Sequence, residues 1–496
     1  MSKLKDLGQP PEFWEYFEKI TKIPRCSQHE EGVRSYIKGE AERFGFTTQV
    51  DNTGNLVVRI LPKKNSRKTV VLQCHLDMVC EKNEDIKHDF LKDPLKLKII
   101  EFENEKWVTA EGTTLGADNG VGICYLLTLM KKISNGELKF DALGFDLLFT
   151  IDEESGLRGA FKIDKNLIQG NFLINLDAED DDTVTIGCAG GKVTFFQIKN
   201  ETFKIKNEES RVPIRIFVYG LIGGHSGSDI HLGRGNAIKI LSQILWKLNK
   251  EYEINVNSIK GGNRTNAIPR EAEAIFFAKE KEFAEITDFI NNLFRDIVVI
   301  FDSIEPDISI KIEKLNDYAE DTILKKIIQN NLLNILYTMP NGPLSMHPEI
   351  SDLVFNSSNL AVIRIKSDKI EIKLSQRSLN EYFKGVIWEK ATTLFGMTDL
   401  DVKILVDSDY PGWQPDFNSK LLSLTKEAYR DSTGKEIKVK AIHAGLECGI
   451  LGEKFPQMEM ISIGPENIGA HSPNEKVSVQ SVGKIWNFLI ILLKKL

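Results

Sequence analysis

Apolar positions along the first 190 residues follow two alternating rhythms. Helical spacing marks residues 12–21 and 30–43, and near-continuous apolar runs mark strands at 56–61, 70–79, 145–152 and 172–177. Between the second and third of these strands, Ile123, Leu126, Leu127 and Met130 share one face of a predicted helix that follows Asp118. Unbroken apolar strands separated by helices are what a sheet covered on both faces requires, so this part predicts an α/β domain with helices on both faces of a mixed sheet. Ligands of such sheets gather at the carboxyl ends of the strands. His75, Glu153 and Asp177 each stand at or just beyond such an end.

The rhythm changes at Gly187-Cys188-Ala189-Gly190-Gly191. Strand 212–219, helix 236–248, strands 254–260 and 271–278, helix 282–297 and strand 308–315 follow, a β-α-β-β-α-β order of the ferredoxin-like kind. A similar series comes next: a helix near 321–337, a hairpin over 360–374, a helix over 379–394 and a strand at 402–407. The insertion is therefore expected to be an enlarged ferredoxin-like (α+β) lid, although no sequence repeat accompanies the doubling. After Tyr410-Pro411-Gly412 the first rhythm resumes with a helix at 419–429, strands at 437–442 and 458–463, and a closing helix carrying Val482, Ile485, Phe488, Leu489 and Leu492. The predicted architecture is a discontinuous catalytic domain, residues 1–187 and 406–496, interrupted by a lid domain over 188–405.

Composition narrows the function classes. Across 496 residues, 64 Lys and Arg stand against 71 Asp and Glu, so the net charge of -7 gives no reason to expect a nucleic-acid or anionic-membrane partner. The most apolar stretch, 485–493, is about half of the roughly 20 residues a spanning helix needs. No basic segment followed by a long apolar run opens the chain, and a cytoplasmic location is expected. The six cysteines lack any CxxC pair or compact framework, which predicts reduced thiols.

Candidate chemistry sits where apolar runs end: His75 and Asp77 in VLQCHLDMV, Asp118 in GTTLGADNG, Glu153 and Glu154 in FTIDEESG, Asp177 in FLINLDAED, and His471 far downstream. Imidazoles with carboxylates and no required thiolate form the donor set of a hydrolytic zinc-type site. Alternation in a strand turns His75 and Asp77 to one face, where Asp77 can accept the second ring N–H of His75. Asp118, between Gly116 and Gly120, lies on permissive backbone and is the expected bridge between two metals. Adjacent Glu153 and Glu154 point apart, so one can bind metal while the other takes a proton. Singly, each has a plainer reading: a strand-end pair, a helix N-cap, a solvated acidic turn. Together they point to a metal-dependent amide hydrolase.

The segments HLDMVCEKN, GTTLGADNGVG, DEESGLRGA, GCAGG, GGHSGSDIHLGRGNA, NAIPREA, YPGWQPD, HAGLECG and SIGP…HSPNE closely resemble the aminoacyl-histidine dipeptidases, or cytosolic non-specific dipeptidases, of the two-metal aminopeptidase and carboxypeptidase superfamily. The resemblance runs in order from about residue 70 to the C-terminus. It implies that His75, Asp118 and Asp177 hold one divalent ion and Asp118, Glu154 and His471 the other, with Zn2+ favoured and Mn2+ or Co2+ as alternatives. It makes Glu153 the general base that generates a metal-held hydroxide, Asp77 the orienting partner of His75, and His225 the stabiliser of the oxyanion. Asn266, Arg377, His443 and Glu447 are implied to bind the substrate, Arg377 through the free carboxylate of a dipeptide. One departure is visible: Phe355-Asn356-Ser357-Ser358 precedes Asn359, where the family tends to have Glu-Thr-Ser, which bears on side-chain preference more than on chemistry. His29, His88, His231 and His347 read as structural or surface residues. The expected partners are dipeptide substrates, Xaa-His and other unblocked dipeptides, of a protein that is a monomer or homodimer. The alternatives are an N-acyl amino acid deacylase of the same superfamily and a catalytically silent binding protein.

Overall fold

A computed structural model of the chain describes residue 4 and residues 6–63, 68–205 and 210–496. These divide into two compact units. The first contains the chain up to Gly187 together with Trp413–Ala441 and Leu446–Leu496, and the second contains Cys188–Gly412 and Ile442–Gly445. The return to the first unit comes at Trp413 rather than at 406, because Val402–Tyr410 is the outermost strand of the second unit's sheet and belongs with it. The short segment 442–445, which carries His443, also belongs to the second unit.

The first unit is built on a mixed eight-stranded sheet in the order Thr47–Val50, Leu56–Ile60, Gly144–Thr150, Thr69–His75, Phe172–Asn175, Glu459–Ser462, Thr183–Cys188 and Lys438–Ile442. Its centre is parallel: Thr69–His75 lies between Gly144–Thr150 and Phe172–Asn175 and runs with both. Polar and apolar residues do not alternate in the central strand because both of its faces are covered; Val70, Val71, Leu72 and Cys74 are all buried. The register sets the site. Gln73 pairs with Asn175, so His75 and Asp177 each stand two residues past one matched pair, and His75 itself pairs with Thr150. Residues following all three strands therefore emerge at one edge.

Two further elements complete that edge. The helix Ala117–Ser134 packs against Thr69–His75, burying Ile123, Leu126, Leu127 and Met130. A four-stranded sheet in the order Asn467–Ile468, Lys476–Ser478, Glu105–Ala110 and Leu97–Phe102 holds the loop that contains His471. The closing helix, Val479–Lys495, buries Val482, Ile485, Phe488, Leu489, Leu492 and Leu493, each contributing about 1.5–3 kcal/mol by leaving water. No helix among the described residues is long and apolar enough to cross a membrane.

In the second unit one antiparallel sheet contains two ferredoxin-like halves. Ser309–Lys314, Arg211–Tyr219, Ala272–Lys279 and Asn255–Gly261 form the first half, and Val354–Ile365, Lys369–Ser378, Gly190–Lys199 and Val402–Tyr410 form the second in mirrored order. The halves join where Asn255–Gly261 meets Val354–Ile365, through Lys260 opposite Arg364 and Gly261 opposite Ile363. The second half begins with Gly190–Lys199, so the first is nested inside it. This nesting hides the repeat from a linear reading. The helix expected over 321–337 starts only at Lys326, since Thr322–Leu324 is a short strand paired with Thr202–Lys204.

One expectation is overturned. Cys26 and Cys80 are joined in a disulfide across 54 residues, with Cα atoms 5.8 Å apart, while Cys74, Cys124, Cys188 and Cys448 are buried and outside any disulfide. Cys26 forms a parallel bridge with Met78, and the amide of Met78 donates to the carbonyl of Arg25 at 3.1 Å, which brings the two thiols together. Spacing along the chain carries no sign of this contact. Closing a loop of this length stabilises a fold by roughly 4 kcal/mol in the chain-entropy treatment. Reduction, or Cys26→Ser, is expected to lower the unfolding free energy by about 2–4 kcal/mol in denaturant titrations; an unchanged midpoint would contradict the linkage.

Candidate active site

The polar residues at the ends of the central strands converge. His75 Nε2 lies 2.9 Å from Asp118 Oδ1 and 3.3 Å from Asp177 Oδ1. His471 Nε2 lies 3.1 Å from Asp118 Oδ2 and 3.0 Å from Glu154 Oε2. The two oxygens of Asp118 thus face two different imidazoles. His75, Asp118 and Asp177 form one group of ligand atoms within 4.8 Å of one another, and Asp118, Glu154 and His471 form a second with the same limit. Glu153 stands with His75 and Glu154 in a further such group but outside both of these.

Electrostatics shows why this arrangement suits cations. Burial would lower the His75 imidazole, but the carboxylates of Asp177, Asp118 and Asp77 outweigh it and hold it well above its ordinary value. His471 is pushed up to about 11 by hydrogen bonds to Asp118 and Glu154. Asp118 is held far below the usual carboxylate range despite its burial, because both imidazoles bond to it. Glu153, Glu154 and Asp177 move up, through burial first and the neighbouring negative charges after it. Among the described residues no Lys or Arg forms an ion pair with any of these four carboxylates. Packing so many acids out of water is costly unless positive charge is supplied, so the donor set fits divalent metal ions.

Asp77 does more than the alternation predicts. It is fully buried, and its Oδ1 lies 3.3 Å from His75 Nδ1. The same oxygen accepts the Glu153 amide at 3.0 Å, while Oδ2 accepts the Glu154 amide at 3.1 Å and the Ser27 hydroxyl at 2.7 Å. One carboxylate therefore orients the imidazole and fixes the backbone of the glutamate pair. Asp152, just before that pair, has φ 53°, and His471 has φ 63°. Left-handed backbone at non-glycine residues is uncommon and persists where surrounding contacts enforce it.

Several residues of this region carry no signal in the sequence. Asn119 donates to Asp177. Glu475, four residues after His471, accepts the amides of Leu115 at 2.7 Å, Gly116 at 2.8 Å and Asp118 at 3.1 Å. Arg25 donates to the carbonyls of Leu76 at 3.0 Å, Asp77 at 2.7 Å and Gly116. A Cβ at Gly116 would come within 2.6 Å of the Arg25 guanidinium, and one at Gly120 within 2.9 Å. The glycines flanking Asp118 therefore make room for Arg25, and Gly116, at φ 66°, also takes the left-handed backbone that glycine permits.

Glu447 requires a correction. The resemblance places it with His443 against substrate, but it lies in the first unit with no exposed surface. Its Oε2 accepts Gln73 Nε2 and Thr150 Oγ1, both at 2.6 Å, and burial raises its carboxyl to about 7. In this arrangement Glu447 bonds to the sheet and presents no surface of its own. Gln73 lies two positions before His75 in its strand, and Thr150 is the residue that pairs with His75, so Glu447 supports the sheet beneath the histidine.

The second unit gathers its own polar cluster. Gly227 is the centre: a Cβ there would lie 2.5 Å from the His443 carbonyl, 3.0 Å from His225 Cε1 and 3.1 Å from Arg377 Cζ. The Ser228 amide donates to His225 Nδ1 at 3.0 Å, so the neutral ring carries its proton on Nε2. Arg377 is 6% exposed and donates through Nη1 to the Tyr410 hydroxyl at 2.8 Å, while its buried Nε–H meets no acceptor among the described residues. His443 Nε2 lies 2.7 Å from Ser357 Oγ, and its ring is pushed down to about 3 by burial and then by Arg377. Asn266 accepts the Ser226 amide on its main-chain carbonyl at 2.8 Å and is itself exposed. Ser357 stands opposite Arg377 in the sheet, so the departing segment 355–358 borders this cluster.

Two family models match the chain. Residues 55–201 match peptidase family M28, and residues 218–298 match the peptidase dimerisation domain. The chain is 35% identical over 505 residues to the cytosol non-specific dipeptidase of Escherichia coli (strain K12), covering 100% of this chain and 99% of that protein. Its fold is similar to the crystal structure of aminoacylhistidine dipeptidase from Vibrio alginolyticus, with TM-score 0.87, 33% identity and coverage of 99% and 97% of the two chains. The aminopeptidase PepT of Bacillus cereus shares the fold at TM-score 0.58 and 13% identity, over 99% of both chains. The chain belongs to the family of the cytosol non-specific dipeptidases, the aminoacyl-histidine dipeptidases, which are metallopeptidases.

Proposed function

We propose that this protein is a two-metal dipeptidase that hydrolyses the peptide bond of unblocked dipeptides, Xaa-His among them, in the cytosol. The observation that carries the reading is Asp118, whose Oδ1 faces His75 at 2.9 Å and whose Oδ2 faces His471 at 3.1 Å. A single carboxylate shared between two ligand groups is what a pair of ions about 3.5–4 Å apart needs. His75 and Asp177 complete one group, Glu154 and His471 the other, and the nitrogen and oxygen donors favour Zn2+, with Mn2+ or Co2+ able to replace it. When bound, such ions polarise a carbonyl and lower the pKa of water from 15.7 towards about 7.

The chain's own residues supply the rest. Glu153 belongs to neither ligand group, and its carboxylate is the base that takes the proton of the attacking water and delivers it to the leaving amine. Asp77 keeps His75 and the Glu153–Glu154 backbone in place for that transfer. His225, with its proton on Nε2, is suited to donate to a developing oxyanion. The unsatisfied Nε–H of Arg377 is suited to a substrate carboxylate, for which a planar guanidinium is well shaped. His443 remains a neutral partner of Ser357 beside it, and Asn266 is the remaining substrate contact. The dimerisation-domain match suggests a homodimer. The strand Asn255–Gly261 is already paired within the chain, so a dimer would use other surfaces.

Glu153→Gln is expected to lower kcat by about 10²–10⁴ while metal content stays the same; full activity in the metal-loaded variant would sink the assignment of the base. Chelation should abolish dipeptide hydrolysis and Zn2+, Mn2+ or Co2+ should restore it. Because His75 and His471 are both raised, protons compete for the ligand atoms, and metal affinity should fall as pH is lowered. Metal analysis across a pH series checks the sign. Arg377→Met should raise KM for dipeptides far more than for dipeptide amides. Faster turnover of N-acetyl amino acids than of Xaa-His dipeptides would favour a deacylase instead.

A further inference from the structure

Two opposite charges, both 1% exposed, converge on one short stretch of backbone. Arg25 comes from the segment after the first helix, and Glu475 from the loop that holds His471. Neither points a polar atom at a proposed metal ligand side chain. Both bond instead to the main chain of Leu115–Asp118, and Arg25 also to that of the strand end that carries His75.

We propose that Arg25 and Glu475 are positioning residues, a buried clamp that fixes the carboxylate of Asp118 between the two ligand groups before any ion arrives. Three connections support it. Arg25 ties Gly116 to the carbonyls of Leu76 and Asp77, so the loop of Asp118 is referenced to the loop of His75. Glu475 takes the amides of Leu115, Gly116 and Asp118, so the same loop is referenced to the loop of His471. The bare glycines at 116 and 120 leave the space the guanidinium occupies, since a Cβ at either would lie within 3 Å of it.

The clamp explains a feature the ligands alone do not. Water or a neutral side chain could satisfy these carbonyls at little cost, yet here a charged guanidinium is buried to bond them, with its Nε–H meeting no acceptor among the described residues. Burying charge in this way is costly, and it is retained where backbone position has to be set closely. Mutation of supporting groups around metal ligands typically weakens metal binding about 10–100-fold.

The inference rests on the two-metal reading above, and Co2+ titration of the metal-free protein separates the two. Parent protein is expected to bind two Co2+ and develop a visible d–d band. Parent that takes up no Co2+ would sink the metal reading itself. Arg25→Lys keeps the charge but replaces the two-nitrogen planar fork with donors on a single atom, and Glu475→Gln keeps one acceptor oxygen. Each is expected to stay folded by circular dichroism, bind Co2+ roughly tenfold or more weakly, and shift the d–d band, with Glu475→Gln milder than Glu475→Ala. Folded variants with parental affinity within about twofold and an unshifted band would overturn the clamp, leaving a structural role only. Hydrogen exchange on the metal-free parent decides the matter even if the variants do not fold. Protection of the Leu115, Gly116 and Asp118 amides is expected to persist without metal, and fast exchange at all three would refute pre-positioning.

Discussion

Four carboxylates largely away from water, brought together with the buried His75 and the exposed His471, are the constraint around which the first unit is arranged. Asp118, Glu153, Glu154 and Asp177 would repel one another strongly in a medium poorer than water at screening charge. Their positions therefore have to be enforced by structure that does not itself neutralise them. Parallel strands deliver His75 and Asp177 at matched levels, and Asp77 holds the backbone of the glutamate pair. Among the described residues no lysine or arginine pairs with the four acids. The resulting deficit of positive charge is the physical reason the donor set suits cations and the reason both imidazoles are raised above their ordinary value.

The enforcing groups form layers of decreasing contact with the chemistry. Asp77 touches a ligand imidazole directly. Arg25 and Glu475 act one step further out, on main-chain carbonyls and amides. Glu447, with Gln73 and Thr150, lies below the strand level of His75, where a buried carboxyl raised to about 7 is tolerated because two donors satisfy one of its oxygens. The Cys26–Cys80 disulfide fastens the segment that supplies Arg25 to the segment that follows Asp77. Each layer restrains the next, so geometry at the ligand atoms depends on residues that never meet substrate.

The second unit follows a different logic. Its two nested halves share one sheet, and the meeting strands cover edges that would otherwise be open to another chain. Within it, the absence of a side chain at Gly227 allows His225, Arg377 and His443 to approach one another. Ser357, in the segment that departs from the family pattern, bonds His443 and stands opposite Arg377. Variation there changes what surrounds the guanidinium and imidazole without altering either.

The order of strands and helices was legible in the sequence because buried strands and amphipathic helices leave local periodicities, as at 70–79 and 479–495. The ligand types were legible too, since His75, Asp118, Glu153, Glu154, Asp177 and His471 interrupt apolar runs at strand ends or close a recognisable motif. Other features were settled only in three dimensions: the Cys26–Cys80 pairing, the burial of Glu447, the return to the first unit at Trp413, and the convergence of Arg25 and Glu475 on the loop of Asp118. These depend on contacts between segments tens to hundreds of residues apart, and in the clamp on bonds to backbone atoms that every residue possesses. A bond to a main-chain amide imposes no side-chain pattern at its far end, so only the folded chain decides where it forms.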